Sequence, residues 1–591
     1  MRSVLRSFSS LALSSFCLAA VACGGAAPPR VAEDVPLTPP ATATEPPADA
    51  PAPIAFETCS LETGGKDGRA ECANVEVPLD WGKPADRQVT FFVKRLIGKG
   101  GGTHKQLWLL QGGPGGAGDG LEPLAEQIAK DNPSFDVYIP DHRGTGRSAF
   151  LDCPTALADY PLDYAACAAE AQKTWGKDGF ATFTTTTAAR DVGHVIERTR
   201  EAGQEVHVYG VSYGTYWAQR YMQLFPTQAT AVTLDSVCAS GLCSYMRIGY
   251  WFDRVGKKFL AECAADATCS SHAGADPLAT VKASIDVAKA RTCAGLEGID
   301  GETLRQIYSW FIASVSLRAA IPAVAARTVR CNDDDVVALK TFVSNVKQWM
   351  GGGFDGPSGG RDLSSTVLGF HIAFSEMEAL PAPTRDELAS LLEGAVFTTQ
   401  DTSILDAFDA WPKYARDEYV GKYPTAPVPV LLMNGTLDPQ TPQEFADEIS
   451  KHYTAPSQTY VLVPRSAHCV VSQSETTAQD TCGMRLWSQF LAHPTRALDT
   501  SCTAEVLAHD FSDDQVLATQ MFGGRSLWGS ASPGAPSVPN KRAAPLARGA
   551  LATQASLRAE LERAMRATTP WATVRQTKES FARTLARVES P

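Results

Sequence analysis

The stretch "VHVYGVSYGTYWAQRY", Val206 to Tyr221, decides how the rest of the chain is read. Alternating Val and aromatic residues predict a strand, and the segment after Gly-Val-Ser-Tyr-Gly predicts a helix. A strand-to-helix turn that needs two glycines can hold a serine by accident. The alternative is a nucleophile elbow, where a strained turn lifts Ser212 above the end of a sheet. The pattern alone does not choose between them; its surroundings must.

Those surroundings alternate strands with helices. "KQLWLLQGGPGGAG" is an apolar strand (Leu107 to Leu110) ending in a glycine-rich loop, and "FDVYIPDHRGTGRS" is another strand and loop. "TTTTAARDVGHVIERTR" offers threonines as N-caps and a helical stripe of Val192, Val195 and Ile196. "TAVTLDSV" is the strand after the elbow helix, and Val75 to Gly98 reads as an opening antiparallel hairpin. Strands alternating with helices predict an α/β fold, a mostly parallel sheet flanked by helices. Between Cys238 and Tyr423 strand signals vanish and 3.6-residue periodicity takes over. They return in "APVPVLLMNGTLD" and "QTYVLVPRSAH". The expected organisation is a core in two parts, residues 57–237 and 424–529, with a helical cap inserted at 238–423. Within the cap, "QWMGGGFDGPSGGRD" is a loop, and the triple Asp from Asp333 favours a helix N-terminus over a metal site.

Acyl transfer by serine requires a base, a group that orients the base, and amide donors for the oxyanion. Asp438 follows one predicted strand in "GTLDPQTP", and His468 follows another in "SAHCVV". Ser212, Asp438 and His468 thus occur in the order of an α/β-hydrolase triad, each after a strand. In "QGGPGG" consecutive glycines let backbone N–H groups approach an oxyanion. The loop lacks the Lys-Ser/Thr ending of a phosphate cradle. Taken together, these features make Ser212 a nucleophile.

The series "GGPGG", "DHRGTGRS", "GVSYGTYWAQRYMQLFP", "MNGTLDPQTP" and "SAH" resembles the proline iminopeptidase and tripeptidyl aminopeptidase group of α/β-hydrolases, over roughly Leu61 to Gly529. The resemblance implies an α/β-hydrolase fold with an inserted cap. It assigns Ser212 as nucleophile, His468 as general base and Asp438 as its orienting carboxylate, with oxyanion donors from the backbone of Gly113 and Tyr213. Asp141 and Arg143 would brace neighbouring loops. Two departures stand out: Gln111 where the glycine loop often opens with His, and Cys469 where glycine usually follows the histidine.

Composition fits a soluble globular protein, and the cysteines and the N-terminal segment point to export. Of 591 residues, 44% are hydrophobic and 20% charged, and the net charge of −12 makes nucleic acid no natural partner. Arg2, Arg6 and the apolar run Leu11 to Val21 predict a signal peptide over residues 1–22. "AVACGG" resembles the lipobox of bacterial lipoproteins, which implies lipidation at Cys23 and membrane contact through that anchor alone, although Ala20 stands where that motif usually has Leu. Nine prolines between Gly24 and Pro53 predict an extended tether, residues 23–56. Thirteen cysteines beyond Cys17 and Cys23 imply an oxidising compartment. Sequence does not fix connectivity, but short spacings suggest Cys59–Cys72, Cys153–Cys167, Cys238–Cys243 and Cys263–Cys269, and Cys293–Cys331 with Cys482–Cys502 would complete six pairs, leaving Cys469 odd. No C-x-x-C pair or histidine cluster calls for a metal, and no cofactor is expected. Residues 530–591 form a basic tail; from Ala531 onward ten Lys and Arg face four Asp and Glu.

The expected reaction is hydrolysis of a peptide from its free N-terminus, with ester hydrolysis by the same triad as the alternative. An aminopeptidase needs an acidic group to receive the substrate ammonium. In "GFHIAFSEMEAL", Glu376 and Glu378 are the substrate-binding candidates, because a similar acidic position follows a helical segment in the cap of related aminopeptidases, and Glu376 matches that position better of the two.

Overall fold

A computed structural model of the chain describes residues 53–158, 162–351, 363–513, 515–523 and 526–529. The signal peptide, Cys23, the tether up to 52, the glycine-rich stretch 352–362 and the basic tail from 530 lie outside the described residues.

Nine strands form one sheet: β1 (Glu57–Cys59), β2 (Ala70–Pro78), β3 (Gln88–Leu96), β4 (Lys105–Leu110), β5 (Phe135–Pro140), β6 (Val206–Val211), β7 (Ala231–Asp235), β8 (Val430–Gly435) and β9 (Gln458–Val463). Their order is β1-β2-β3-β5-β4-β6-β7-β8-β9. The opening strands pair antiparallel through β3–β5, and every later pairing is parallel. β6, β7 and β8 are buried along their whole length, which is why they read as continuous apolar runs: a parallel sheet carries helices on both faces. Along β4 the side chains divide between two cores, Trp108 and Leu110 on one face, Leu107 and Leu109 on the other. The helix Thr185–Thr199 buries Val192, Val195 and Ile196 against the first face, and Thr184 caps it in a box with Thr187.

Between β7 and β8 the chain leaves the sheet, and this insertion behaves as two bodies. Helices from Ile248 to Gly351 build a separate core around Phe259, Trp310, Phe311 and Phe342. The later part, including Val367, Phe370, Phe374, Phe408 and Trp411, packs into the core of the sheet instead. The C-terminal boundary also moves. Phe511, Leu517, Met521, Leu527 and Trp528, expected within the second half of the sheet domain, pack into the insertion's core. Buried Asp335 anchors them there. It pairs with Arg327 (3.0 Å) and Arg330 (2.6 Å), whose guanidinium groups also hold the carbonyls of Ser526, Leu527 and Trp528. The third aspartate of the run is therefore an ion-pair partner as well as a helix-start residue.

The four disulfides that short spacing suggested and the two that would complete the set are all present, and Cys469 is in none. That density is consistent with an exported protein. Among the described residues no helix is long and apolar enough to cross a membrane.

Candidate active site

The opening motif is a backbone device. Ser212 follows β6 with φ 59° and ψ −129°, a conformation that side chains rarely adopt, and the helix Tyr213–Leu224 begins at the next residue. A Cβ on Gly210 would lie 2.2 Å from the Gly214 carbonyl, and one on Gly214 would lie 2.1 Å from the Leu110 carbonyl. Both flanking positions must be glycine because the strand and helix cross this closely. The turn projects Ser212 beyond the sheet, and its N–H donates to the Asp235 carbonyl at 3.0 Å.

The glycine loop lies directly on this serine. A Cβ on Gly112 would meet Ser212 Cβ at 2.7 Å and its Oγ at 3.2 Å. Tyr213 is the first residue of its helix, so its N–H has no intrahelical acceptor and sits at the positive end of the helix dipole. Gln111 turns back to accept the Gly112 N–H at 2.7 Å, and the Gly113 carbonyl accepts Tyr245 Oη at 3.0 Å. That second bond fixes the peptide orientation of the loop from the far side. Asp141 accepts the N–H of Gly118 (2.8 Å) and of Arg147 (2.7 Å), tying the glycine loop to its neighbour. Arg143 forks onto Asp191 with two bonds of 2.6 Å and holds the carbonyls of Pro78 and Leu79. Both residues brace loops. Burial pushes His142 down to about 4, so the ring is neutral. Its Nδ1–H donates to the Arg143 carbonyl (2.5 Å) and its Nε2 accepts Tyr213 Oη (3.1 Å), pinning the side chain that follows the nucleophile.

Asp438 and His468 meet across two loops, after β8 and β9. His468 Nδ1 lies 2.8 Å from Asp438 Oδ2 and 3.0 Å from Oδ1. Thr441 Oγ donates to Asp438 Oδ2 at 2.8 Å and sits 3.2 Å from His468 Nδ1, while the N–H groups of Gln440 and Thr441 occupy Oδ1. Asp438 is fully buried; burial alone would raise its carboxyl, but the imidazole and the Thr441 donors outweigh it and hold the carboxyl below its usual value. A carboxylate on Nδ1 makes that nitrogen the N–H donor and leaves Nε2 with the lone pair a base needs.

The two glutamates of the insertion are placed differently from what the sequence suggested. Glu376, in the single π-turn Ala373–Met377, is buried under four donors. Thr185 N (3.1 Å) and Tyr414 Oη (2.6 Å) occupy Oε1; Tyr216 Oη (3.1 Å) and Arg220 Nη2 (3.0 Å) occupy Oε2. Its lone pairs are used and its charge is matched, so it ties the insertion to the elbow helix rather than waiting for an ammonium. Glu378 is equally buried, but its donors are neutral: Ser244 Oγ and the N–H of Tyr245 (2.7 Å). Burial pushes its carboxyl up to about 7.

Sequence reasoning missed three residues around the site. Thr441 lies three positions after Asp438. Arg318, alone in the apolar run "SVSLRAAIPAVAA", is buried and donates to the carbonyls of Ile312 (2.7 Å), Leu437 and Arg465 (3.1 Å), gripping both triad loops from the insertion. Asp235 ends the apolar strand "TAVTLD" as a buried carboxylate. For Arg318 and Asp235 the legible signal was a charged residue in an apolar run; Thr441, in the polar loop "DPQTPQ", gave none.

Comparison with known proteins adds family context. A family model described as alpha/beta hydrolase fold matches residues 107–290, and one described as TAP-like protein matches residues 396–502. Tripeptidyl aminopeptidases of Streptomyces coelicolor and Streptomyces lividans are each 28% identical over 190 residues, covering 28% of this chain and 35% of either relative. The chain thus spans about a third of the length of the curated relatives it matches. A solved 2-hydroxy-6-oxo-6-phenylhexa-2,4-dienoate hydrolase from Rhodococcus sp. strain RHA1 is 13% identical, covers 72% of this chain and 100% of its own, and has a TM-score of 0.31.

Proposed function

We propose, from the premise that the chain is an α/β-hydrolase of the tripeptidyl aminopeptidase group, that it is an exported serine aminopeptidase. It releases N-terminal residues or short peptides through an acyl-enzyme on Ser212. His468 Nε2 takes the Ser212 proton as Oγ attacks the scissile carbonyl, and returns it to the leaving amine. Asp438 and Thr441 hold the imidazole in the required tautomer. The N–H groups of Gly113 and Tyr213 receive the developing oxyanion. Water then repeats the sequence in reverse to free the enzyme.

The observation that carries this reading is the 2.8 Å contact of His468 Nδ1 with buried Asp438, behind a serine held at positive φ. The six disulfides support export, and anchoring through a lipidated Cys23 goes with it. Mass spectrometry of the mature N-terminus tests the anchor: a chain still beginning at Met1 refutes it.

Ser212→Ala should lose turnover by about 10⁶-fold with its fold intact. Near-native turnover in a preparation free of other hydrolases would end the proposal. For the substrate ammonium, Glu378 replaces Glu376 as the acceptor we favour, since none of its donors is a cation. The saturation of Glu376 is the observation that favours the second reading, a carboxylic ester hydrolase with the same triad. Turnover of tripeptidyl or aminoacyl anilides against p-nitrophenyl esters separates the two.

A further inference from the structure

One residue joins the nucleophile turn to the histidine loop. Asp235 ends β7, between the strand that carries Ser212 and the strand that leads to Asp438; it pairs with Val211 on one side and Met433 on the other. Its main-chain carbonyl accepts the Ser212 N–H at 3.0 Å. Its carboxylate accepts the N–H of Val470 (2.7 Å, Oδ1) and Val471 (3.0 Å, Oδ2), two and three residues beyond His468. Tyr209 Oη, from the elbow strand, donates to Oδ2 at 2.9 Å. The next residue continues the clasp: Ser236 Oγ accepts the Cys469 N–H at 2.7 Å.

We propose that Asp235 is a positioning residue that sets the distance between Ser212 and His468. This rests on the serine mechanism proposed above and adds to it a residue outside the triad. Three consecutive N–H groups, Cys469 to Val471, have their acceptors on Asp235 and Ser236. The loop carrying the base is therefore registered against the strand neighbouring the nucleophile, not merely against its own. Among the described residues no cation contacts the carboxylate; its partners are directional N–H and O–H groups, and what it supplies is geometry. A displacement of about 1 Å between nucleophile and base is worth about 100-fold in rate.

The test uses the full chain and counts active sites. Asp235→Asn keeps the size but presents an amide N–H to one of the two backbone donors, so one bond is lost. The expected result is a kcat per folded molecule lower by about 100-fold, KM within about twofold, and labelling of Ser212 by a fluorophosphonate slowed in the same proportion. Ser236→Ala, which removes the Cys469 acceptor together with the Ser236 Oγ donor to Asp235 Oδ1 (3.3 Å), should lose kcat about 10-fold with KM held; it carries the test if Asp235→Asn does not fold. A merely structural role would lower the melting temperature of either variant while kcat per folded molecule stayed within about threefold of wild type. That result overturns the inference. A wild-type chain that is not labelled at Ser212 removes the serine mechanism and this inference with it. A labelled wild type with unchanged variants removes the inference alone.

Discussion

Arg220 Nη2 and Glu376 Oε2 lie 3.0 Å apart, both buried, and join the elbow helix to the insertion. Breaking such a pair leaves an uncompensated buried charge, and the cost is on the order of 3–5 kcal/mol. Glu376→Gln should therefore lower stability in denaturant titration by that order. Any activity lost should be lost equally on peptide and ester substrates. A selective loss on peptides, with unchanged stability, would return Glu376 to the substrate ammonium.

Thr441 touches both partners of the Asp438–His468 pair. Thr441→Val keeps the shape and removes the hydroxyl, and kcat should fall about 10-fold with KM little changed, since one neutral hydrogen bond is lost. Asp438→Asn should cost far more, about 10⁴-fold, because the wrong tautomer is then held. Steady-state kinetics on one substrate ranks the two; equal losses would contradict the roles assigned here.

Arg318 binds three carbonyls, two of them in the triad loops. Arg318→Met should strand these acceptors and reduce kcat by about 10- to 100-fold, with Arg318→Lys recovering part because an ammonium still donates. If Lys and Met behaved alike, packing of the stem rather than hydrogen bonding would be its contribution.

Glu378 gives a pH test of stability. Burial raises its folded carboxyl from 4.5 to about 7, so between these values the native state holds a proton that the unfolded state has lost. Stability linked to this group must then fall as pH rises from about 4.5 to about 7. Glu378→Gln removes the slope. Unfolding free energies at pH 5 and pH 8 should change less in the variant than in wild type, and parallel pH curves would show that Glu378 titrates normally.

How much of this was legible in the sequence depends on how far apart the interacting groups lie along the chain. The elbow was legible because Gly210, Ser212 and Gly214 stand within five residues at a strand-to-helix turn; Gly210 is closed off locally by the Gly214 carbonyl, while Gly214 answers the distant Leu110 carbonyl. Alternating buried strands, the triad order and the short-range cysteine pairs were legible for the same reason: backbone period and short loops are local. Tertiary structure alone decided where buried charges found partners. Glu376 sits 156 positions from Arg220, and Asp235 sits 235 from Val470. A carboxylate on an apolar helix gives no sign, in sequence, of whether a substrate or a distant arginine will meet it. Folding also sent Phe511, Leu517, Met521, Leu527 and Trp528 to the insertion rather than the sheet, where Arg327 and Arg330, held by Asp335, offer donors for the carbonyls of Ser526, Leu527 and Trp528. Burying a charge or an amide is tolerated only with its bonds made. Which bonds those are is a property of the folded chain.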